Sequence, residues 1–150
     1  MGGKLDLEVE VKTPADKFWG AIKDSKDLFP KVFPQQYKSI EILEGDGNSV
    51  GSVRLVHFAE GIPIITTSKE KIEAADEEKK TVSYSVIDGD LINFYKTFKA
   101  TFQVTPKGDG SLAKWSIEYE KANEDVPDPN LFQEFASKTF TELDAYLLKA

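Results

Sequence analysis

The hydrophobic period of this chain changes once, and that change limits what it can fold into. From Leu5 to about Glu120 the apolar residues recur mostly in steps of two, the mark of strands with one dry and one wet face. After "NEDVPDP" they recur in steps of three and four, through Phe132, Phe135, Ala136, Thr139, Phe140, Leu143 and Tyr146. Asp128 can cap this last segment and Pro129 can open it, which predicts one long amphipathic helix running to about residue 149.

The strand-like part breaks only once. Leu5, Leu7, Val9 and Val11 alternate with charged residues as far as Thr13. Thr13-Pro14-Ala15-Asp16 then has the form of a helix start, with Thr13 as N-cap and Pro14 in the first helical position. Phe18 and Ile22 lie four apart on that short helix. Ser25 can cap a second one through Leu28 and Phe29, kept short by Pro30 and Pro34. Extended segments follow near 37–44, 52–58, 64–74, 80–87, 94–105 and 111–120. Phe94, Phe98, Ala100, Phe102 and Val104 share one parity and are expected to face inward, as are Trp115, Ile117 and Tyr119, and Val82, Tyr84 and Val86.

These elements do not fit together as flat layers. About seven antiparallel strands at ~4.8 Å spacing span about 30 Å, whereas a helix with its side chains is only ~10–12 Å across. The sheet must therefore curl around the helix, with the two short helices closing one end. Large aromatics reach inward from both sides, while Ala100, Ala136 and Thr139 leave gaps between them. The expectation is one α+β domain over residues 1–150. Its interior is either a solid aromatic core or a hydrophobic cavity, and periodicity alone does not decide between them.

Composition removes several function classes. With no cysteine and one histidine, the chain offers neither disulfides nor a Cys/His zinc site, and it suits a reducing compartment. No metal-ligand spacing appears and no cofactor is expected. A net charge of −7 without a compact basic cluster argues against nucleic acid as a partner. No apolar run is long enough for stable membrane insertion, and "MGGKLDLEVEV" lacks the apolar core of a secretory signal, so a cytoplasmic protein is expected.

The glycine-rich "EGDGNSVGS" invites comparison with a phosphate-binding loop. Gly45, Gly47 and Gly51 have the wrong spacing for one, no lysine precedes Ser52, and the loop leads into a strand where a phosphate loop leads into a helix. A hairpin connection is expected, with glycines supplying positive φ angles.

"LFPKVFP", "EGDGNSVGS", "EGIP", "YSVIDGD", "YKTFKATFQVTPKGDGSLAKWSIEYEKANEDVPDP" and "LDAYLLK" together resemble the major latex protein branch of the birch-pollen-allergen superfamily of plants, over nearly the whole chain. The resemblance implies the helix-grip fold: a curved seven-stranded antiparallel sheet wrapped around a long C-terminal helix, with two short helices in a V. It also implies an internal cavity, binding of hydrophobic or amphipathic plant metabolites, and a link to defence and stress responses. A minority of that superfamily are enzymes of specialised metabolism, so a cyclase, isomerase or condensing enzyme acting on a terpenoid or alkaloid intermediate is the alternative. Weak ribonuclease activity is attributed to some relatives, but an acidic chain without paired histidines offers little for that chemistry. The protein partner is unknown, and a third reading is an interaction protein whose ligand gates a partner surface.

On this reading the ligand is lined by Phe18, Ile22, Phe29, Arg54, Val56, Phe58, Val82, Tyr84, Val86, Phe98, Ala100, Phe102, Trp115, Ile117, Phe132, Phe135, Ala136, Thr139 and Phe140. Tyr84 is expected to hydrogen-bond it. Arg54 shares parity with Val56 and Phe58, and either faces the ligand or sends its head to water at the mouth. If catalysis occurs, Tyr84, Arg54 and His57 are the candidates, although parity sends His57 outward when Arg54 points in. Tyr119 either lines the cavity or plugs the end of the sheet. Glu60 and Lys138 lie near the expected entrance, with solvated charge the alternative for both, and "DEEKK" is expected to be no more than a charged turn.

Overall fold

The computed structural model of the chain describes residues 2–47, 49–59, 66–126 and 130–149. Strand β1 (Gly2–Val11) is followed by helices α1 (Ala15–Lys23) and α2 (Ser25–Val32). Six strands come next: β2 (Tyr37–Glu44), β3 (Val53–Phe58), β4 (Thr67–Asp76), β5 (Thr81–Gly89), β6 (Tyr95–Lys107) and β7 (Gly110–Lys121). A 3-10 turn at Asp90–Asn93 joins β5 to β6, and α3 (Asn130–Lys149) ends the chain. All seven strands form one antiparallel sheet in the order β1-β7-β6-β5-β4-β3-β2.

The helices close on the apolar face of that sheet through aromatic contacts. On α3, Phe132 meets Phe98 edge-on at 5.7 Å, Phe140 meets Phe102 at 5.3 Å and Phe135 meets Tyr37 at 5.5 Å. On α1, Phe18 and Trp19 both stack on Phe102, at 6.2 and 6.3 Å. Register shifts between Lys69 and Glu70 and between Ile72 and Ala74 interrupt the β4–β5 ladder. Such bulges increase local twist and help the sheet to curl.

Local helix signals were overridden by long-range contacts. Pro14, with φ −58° and ψ 149°, takes the N-cap place of α1, which has no side-chain cap. The hydroxyl of Thr13 instead donates to Asp144 Oδ1 on α3 at 2.6 Å, beside the Thr13 N–H at 2.9 Å. Likewise Asp24, and not Ser25, precedes α2, again without a side-chain cap, and Ser25 is a buried first residue of the helix. Pro30 lies inside α2, which ends two residues later. The expected start of α3 at Asp128 and Pro129 lies outside the described residues, as do Glu60 and the "EGIP" turn.

The inward parity of β6 also needs correction at its start. A register shift between Tyr95 and Thr97 turns Tyr95 into the core, 2% exposed, and leaves Phe94 only partly buried. Tyr119 packs edge-on against Tyr95 at 5.9 Å and stands over Gly3, so it closes the end of the sheet. The "DEEKK" turn does more than solvate charge. Glu77 accepts from the Trp19 indole at 2.8 Å and from Lys23 at 3.0 Å, and Lys80 reaches Asp16 at 3.0 Å, so the β4–β5 hairpin is tied to α1.

The glycine-rich loop joins β2 to β3 and folds on itself. Asp46 accepts from the Ser49 N–H at 2.8 Å and from its hydroxyl at 2.7 Å, while Ser52 Oγ accepts from the Gly47 N–H at 3.2 Å. Gly47, at φ +92°, adopts a conformation that suits glycine, and a Cβ there would run into Ile42.

Candidate functional site

The sheet and α3 do not fill the space between them. A cavity of about 190 Å³ is left, and it reaches from α2 and β2 across β3, β4 and β5 to β6, β7 and α3. Its walls are mostly aliphatic and aromatic: Ile22, Phe29, Val56, Phe58, Val82, Val86, Phe98, Phe102, Trp115, Phe132, Phe135, Ala136 and Phe140. A polar strip crosses them, made by Tyr37, Arg54, Ser68, Glu70, Tyr84 and Thr139.

Strand register explains the strip. Arg54 on β3 stands opposite Glu70 on β4, and Glu70 stands opposite Val86 on β5. Ile72 faces Tyr84 one step further along. All of these residues line the same void, so two opposite charges sit side by side on an apolar wall. Their contact is incomplete. No ion pair between them falls within 4 Å, and buried Arg54 Nε has no hydrogen-bond partner among the described residues. Ser68 Oγ approaches Glu70 Oε2 at 3.5 Å, the outer limit of a hydrogen bond.

Electrostatics follow from this placement. Glu70 and Tyr84 are partly buried, and both line the cavity. Burial pushes the Glu70 carboxyl above its ordinary value, and the attraction of Arg54 and the Ser68 hydroxyl only partly oppose it. The Tyr84 phenol is held well above its usual range by burial and then by the Glu70 charge, against a hydrogen bond from Trp115 and the charge of Arg54. Tyr37 is raised chiefly by burial and secondly by Tyr84, while a hydrogen bond with Thr139 lowers it. The Thr139 hydroxyl also donates to the Phe135 carbonyl at 2.9 Å.

The Glu70 shift has a definite sign for stability. The folded protein keeps the Glu70 proton to higher pH than the unfolded chain, so this contribution is complete below the ordinary value of 4.5. It is lost as pH rises through the folded value. Because desolvation outweighs the pull of Arg54, a neutral isostere should be tolerated. Glu70→Gln should be at least as stable as the parent at pH 7.5, and its advantage should shrink at pH 5. Urea midpoints of the two proteins at both pH values check this, and an advantage that does not change with pH would contradict it.

Three residues expected at the ligand lie outside the lining. Phe18, Ala100 and Ile117 are each 0% exposed. Phe18 is sealed between Phe102 and Phe140, Ala100 lies between Tyr84 and Ile117 across the ladder, and Ile117 pairs with Leu5. Parity assigns a face, and depth along that face depends on the curl of the sheet. The other sixteen expected residues line the cavity. His57 stays off it, half-buried beside Glu41 at 3.4 Å, and Lys138 is exposed on α3.

The sequence reading missed Ser25, Tyr37, Ile40, Ser68, Glu70 and Ile72. Tyr37 and Ile40 differ in parity, and a register shift between Tyr37 and Ser39 turns both inward. For Glu70 a signal was available. Ile72 is the one strong hydrophobe in "SKEKIE", and steps of two from it lead to Glu70 and Ser68.

A curved sheet gripping one long helix across an apolar void with a polar strip defines a cavity-bearing helix-grip protein. Comparison with known proteins makes the assignment narrower. The model of the pathogenesis-related protein Bet v 1 family matches residues 1–150. MLP-like protein 423 of Arabidopsis thaliana is 52% identical over 149 residues, covering 99% of this chain and 96% of that protein. Major latex protein 146 of Papaver somniferum is 44% identical over 130 residues, covering 85% and 79%. The crystal structure of major latex-like protein 151 from Panax ginseng superposes with a TM-score of 0.88 at 30% identity over 98% of each chain. The chain belongs to the pathogenesis-related Bet v 1 family, in its major-latex-protein-like branch. Norcoclaurine synthase from Thalictrum flavum, solved with dopamine and hydroxybenzaldehyde, shares the fold at a TM-score of 0.83 and 23% identity, covering 99% of this chain and 88% of that one. Among the described residues, no helix is long and apolar enough to cross a membrane.

Proposed function

We propose that this protein binds and carries a hydrophobic plant metabolite, in the cytoplasm and in connection with defence or stress, with the ligand held between the sheet and α3. The observation that carries the reading is the cavity of about 190 Å³, apolar on nearly every wall yet crossed by one strip of hydrogen-bonding groups. An empty apolar void forfeits dispersion contacts for every atom lining it, so a ligand that restores them is favoured. The polar strip then fixes orientation. An apolar fluorescent probe titrated into the protein should brighten and saturate at one per chain. A probe that stays dark throughout would count against the reading.

A second reading, a cyclase, isomerase or condensing enzyme using the same cavity, has Glu70 in its favour. A buried carboxyl whose pKa is raised by burial, beside Arg54 and Tyr84, is suited to proton transfer. Incubating the metabolite that co-purifies with the protein distinguishes the two. A carrier returns the compound unchanged, whereas an enzyme yields a product whose formation Glu70→Gln slows by about a hundredfold or more.

A further inference from the structure

A second pocket, about 230 Å³ and polar, lies outside the first between the α1–α2 junction and the glycine-rich loop. It is lined by Lys23, Asp24, Lys26, Asp27, Asp46 and Gly47, together with Ile42. Ser25 and Arg54 line both this pocket and the apolar cavity, so the two spaces are neighbours with those side chains between them. Arg54 sits on the boundary with its buried Nε lacking an acceptor. Resting on the ligand-binding reading above, we infer that the two pockets form one bipartite site for an amphipathic conjugate: an apolar skeleton in the inner cavity joined to an uncharged, hydroxyl-rich substituent, such as a sugar, in the outer pocket.

The lining of the outer pocket argues for that substituent. Lys23, Lys26 and Arg54 are matched by Asp24, Asp27 and Asp46, so the wall carries no net charge. A phosphate or sulfate would face three carboxylates, and an ammonium group would face three cations. A polyhydroxyl group meets both at once, since each hydroxyl can donate to a carboxylate and accept from an ammonium or guanidinium group. Two of the wall groups are already committed, Lys23 to Glu77 and Asp46 to Ser49. That leaves Asp24, Lys26 and Asp27, all exposed at the start of α2, with Lys26 as the adaptable donor and the two carboxylates as acceptors. A linkage oxygen passing Ser25 would come within reach of Arg54.

The test is a matched set of ligands measured by calorimetry against the whole protein: 2-naphthol, 2-naphthyl β-D-glucoside and 2-naphthyl phosphate. The glucoside should bind at least about fivefold more tightly than naphthol, the gain of one or more added hydrogen bonds, and more tightly than the phosphate. In a Lys26→Ala/Asp27→Ala variant, whose changes are on exposed positions, that gain should vanish while naphthol affinity stays the same. Arg54→Met should remove it too. Equal affinity for naphthol and glucoside, or a gain that survives both variants, would overturn the bipartite site while leaving the inner cavity as a binding site. Tightest binding by the phosphate would overturn it in favour of an anion site. If naphthol itself fails to bind, the reading of the inner cavity falls and the inference falls with it.

Discussion

Asp144→Ala should destabilise this protein by about 3 kcal/mol. Its carboxylate lies near the C-terminal end of α3 and accepts from the Lys12 N–H at 3.1 Å, the Thr13 N–H at 2.9 Å and the Thr13 hydroxyl at 2.6 Å. Thr13 is completely buried, and its carbonyl accepts from the Ser111 hydroxyl. Truncation takes the acceptor from the Thr13 N–H and hydroxyl, each at about 1–3 kcal/mol. For a chain of this size the loss corresponds to roughly 10 °C in Tm. Asp144→Asn keeps one acceptor oxygen and should lose about half as much. Glu142→Ala, on an exposed position two residues away, should change little. Thermal unfolding of the three variants checks the claim, and a loss for Asp144→Ala no greater than that for Glu142→Ala would show that the junction of β1, α1 and α3 does not depend on this carboxylate.

The second large effect concerns the void. Ala136→Phe places a ring in the cavity from α3, where the alanine methyl now lines it among Phe132, Phe135 and Phe140. The variant should hold its parent's stability or gain about 1 kcal/mol, because atoms that now face empty space regain contacts. Its affinity for an apolar fluorescent probe should fall at least tenfold, the equivalent of about 1.4 kcal/mol. Overpacking can also strain a core. Val86→Phe, which enters from the opposite wall on β5, supplies an independent plug should the helix position not accept the ring. A folded variant of either kind that binds the probe as tightly as the parent would place the binding site elsewhere.

Much of this architecture could be read in the residues, and the physics shows where reading stopped. The strands were legible because one face of each is dry and the period is two, as in Trp115 and Ile117 against Ser116 and Glu118. The long helix was legible because the period changed. The dimensions of a sheet and a helix then required curling, and the sheet does carry one long helix on its apolar face. Depth was not legible. Phe102 and Ala100 share a face of β6, but only Phe102 reaches the cavity, because the curl buries the space over Ala100 completely. Register shifts at Tyr37 and Tyr95 reverse parity without any mark in composition. Thr13 had every local feature of an N-cap, but Asp144, 131 residues away, takes its hydroxyl. Glu70 was passed over because a carboxylate is expected in water. Its inward position comes from Ile72 two residues on and from Arg54 across the ladder.

The Arg54–Glu70 arrangement explains why the interior is suited to binding as well as to packing. Two charges placed opposite one another in an apolar wall, without a close ion pair, weaken the unoccupied protein. A ligand hydroxyl placed between them would supply the missing acceptor for Arg54 and a partner for Glu70. The same groups that lower apo stability would therefore set the orientation of whatever fills the void.

The central claim is that the void holds a small molecule, and native mass spectrometry of the protein isolated without denaturation from tissue that expresses it tests this most directly. The account predicts a mass above that of the chain by one small molecule, lost on unfolding and identifiable as a compound with an apolar skeleton and at least one hydroxyl or carbonyl group. A bare chain mass, together with no response from an apolar fluorescent probe, would contradict it.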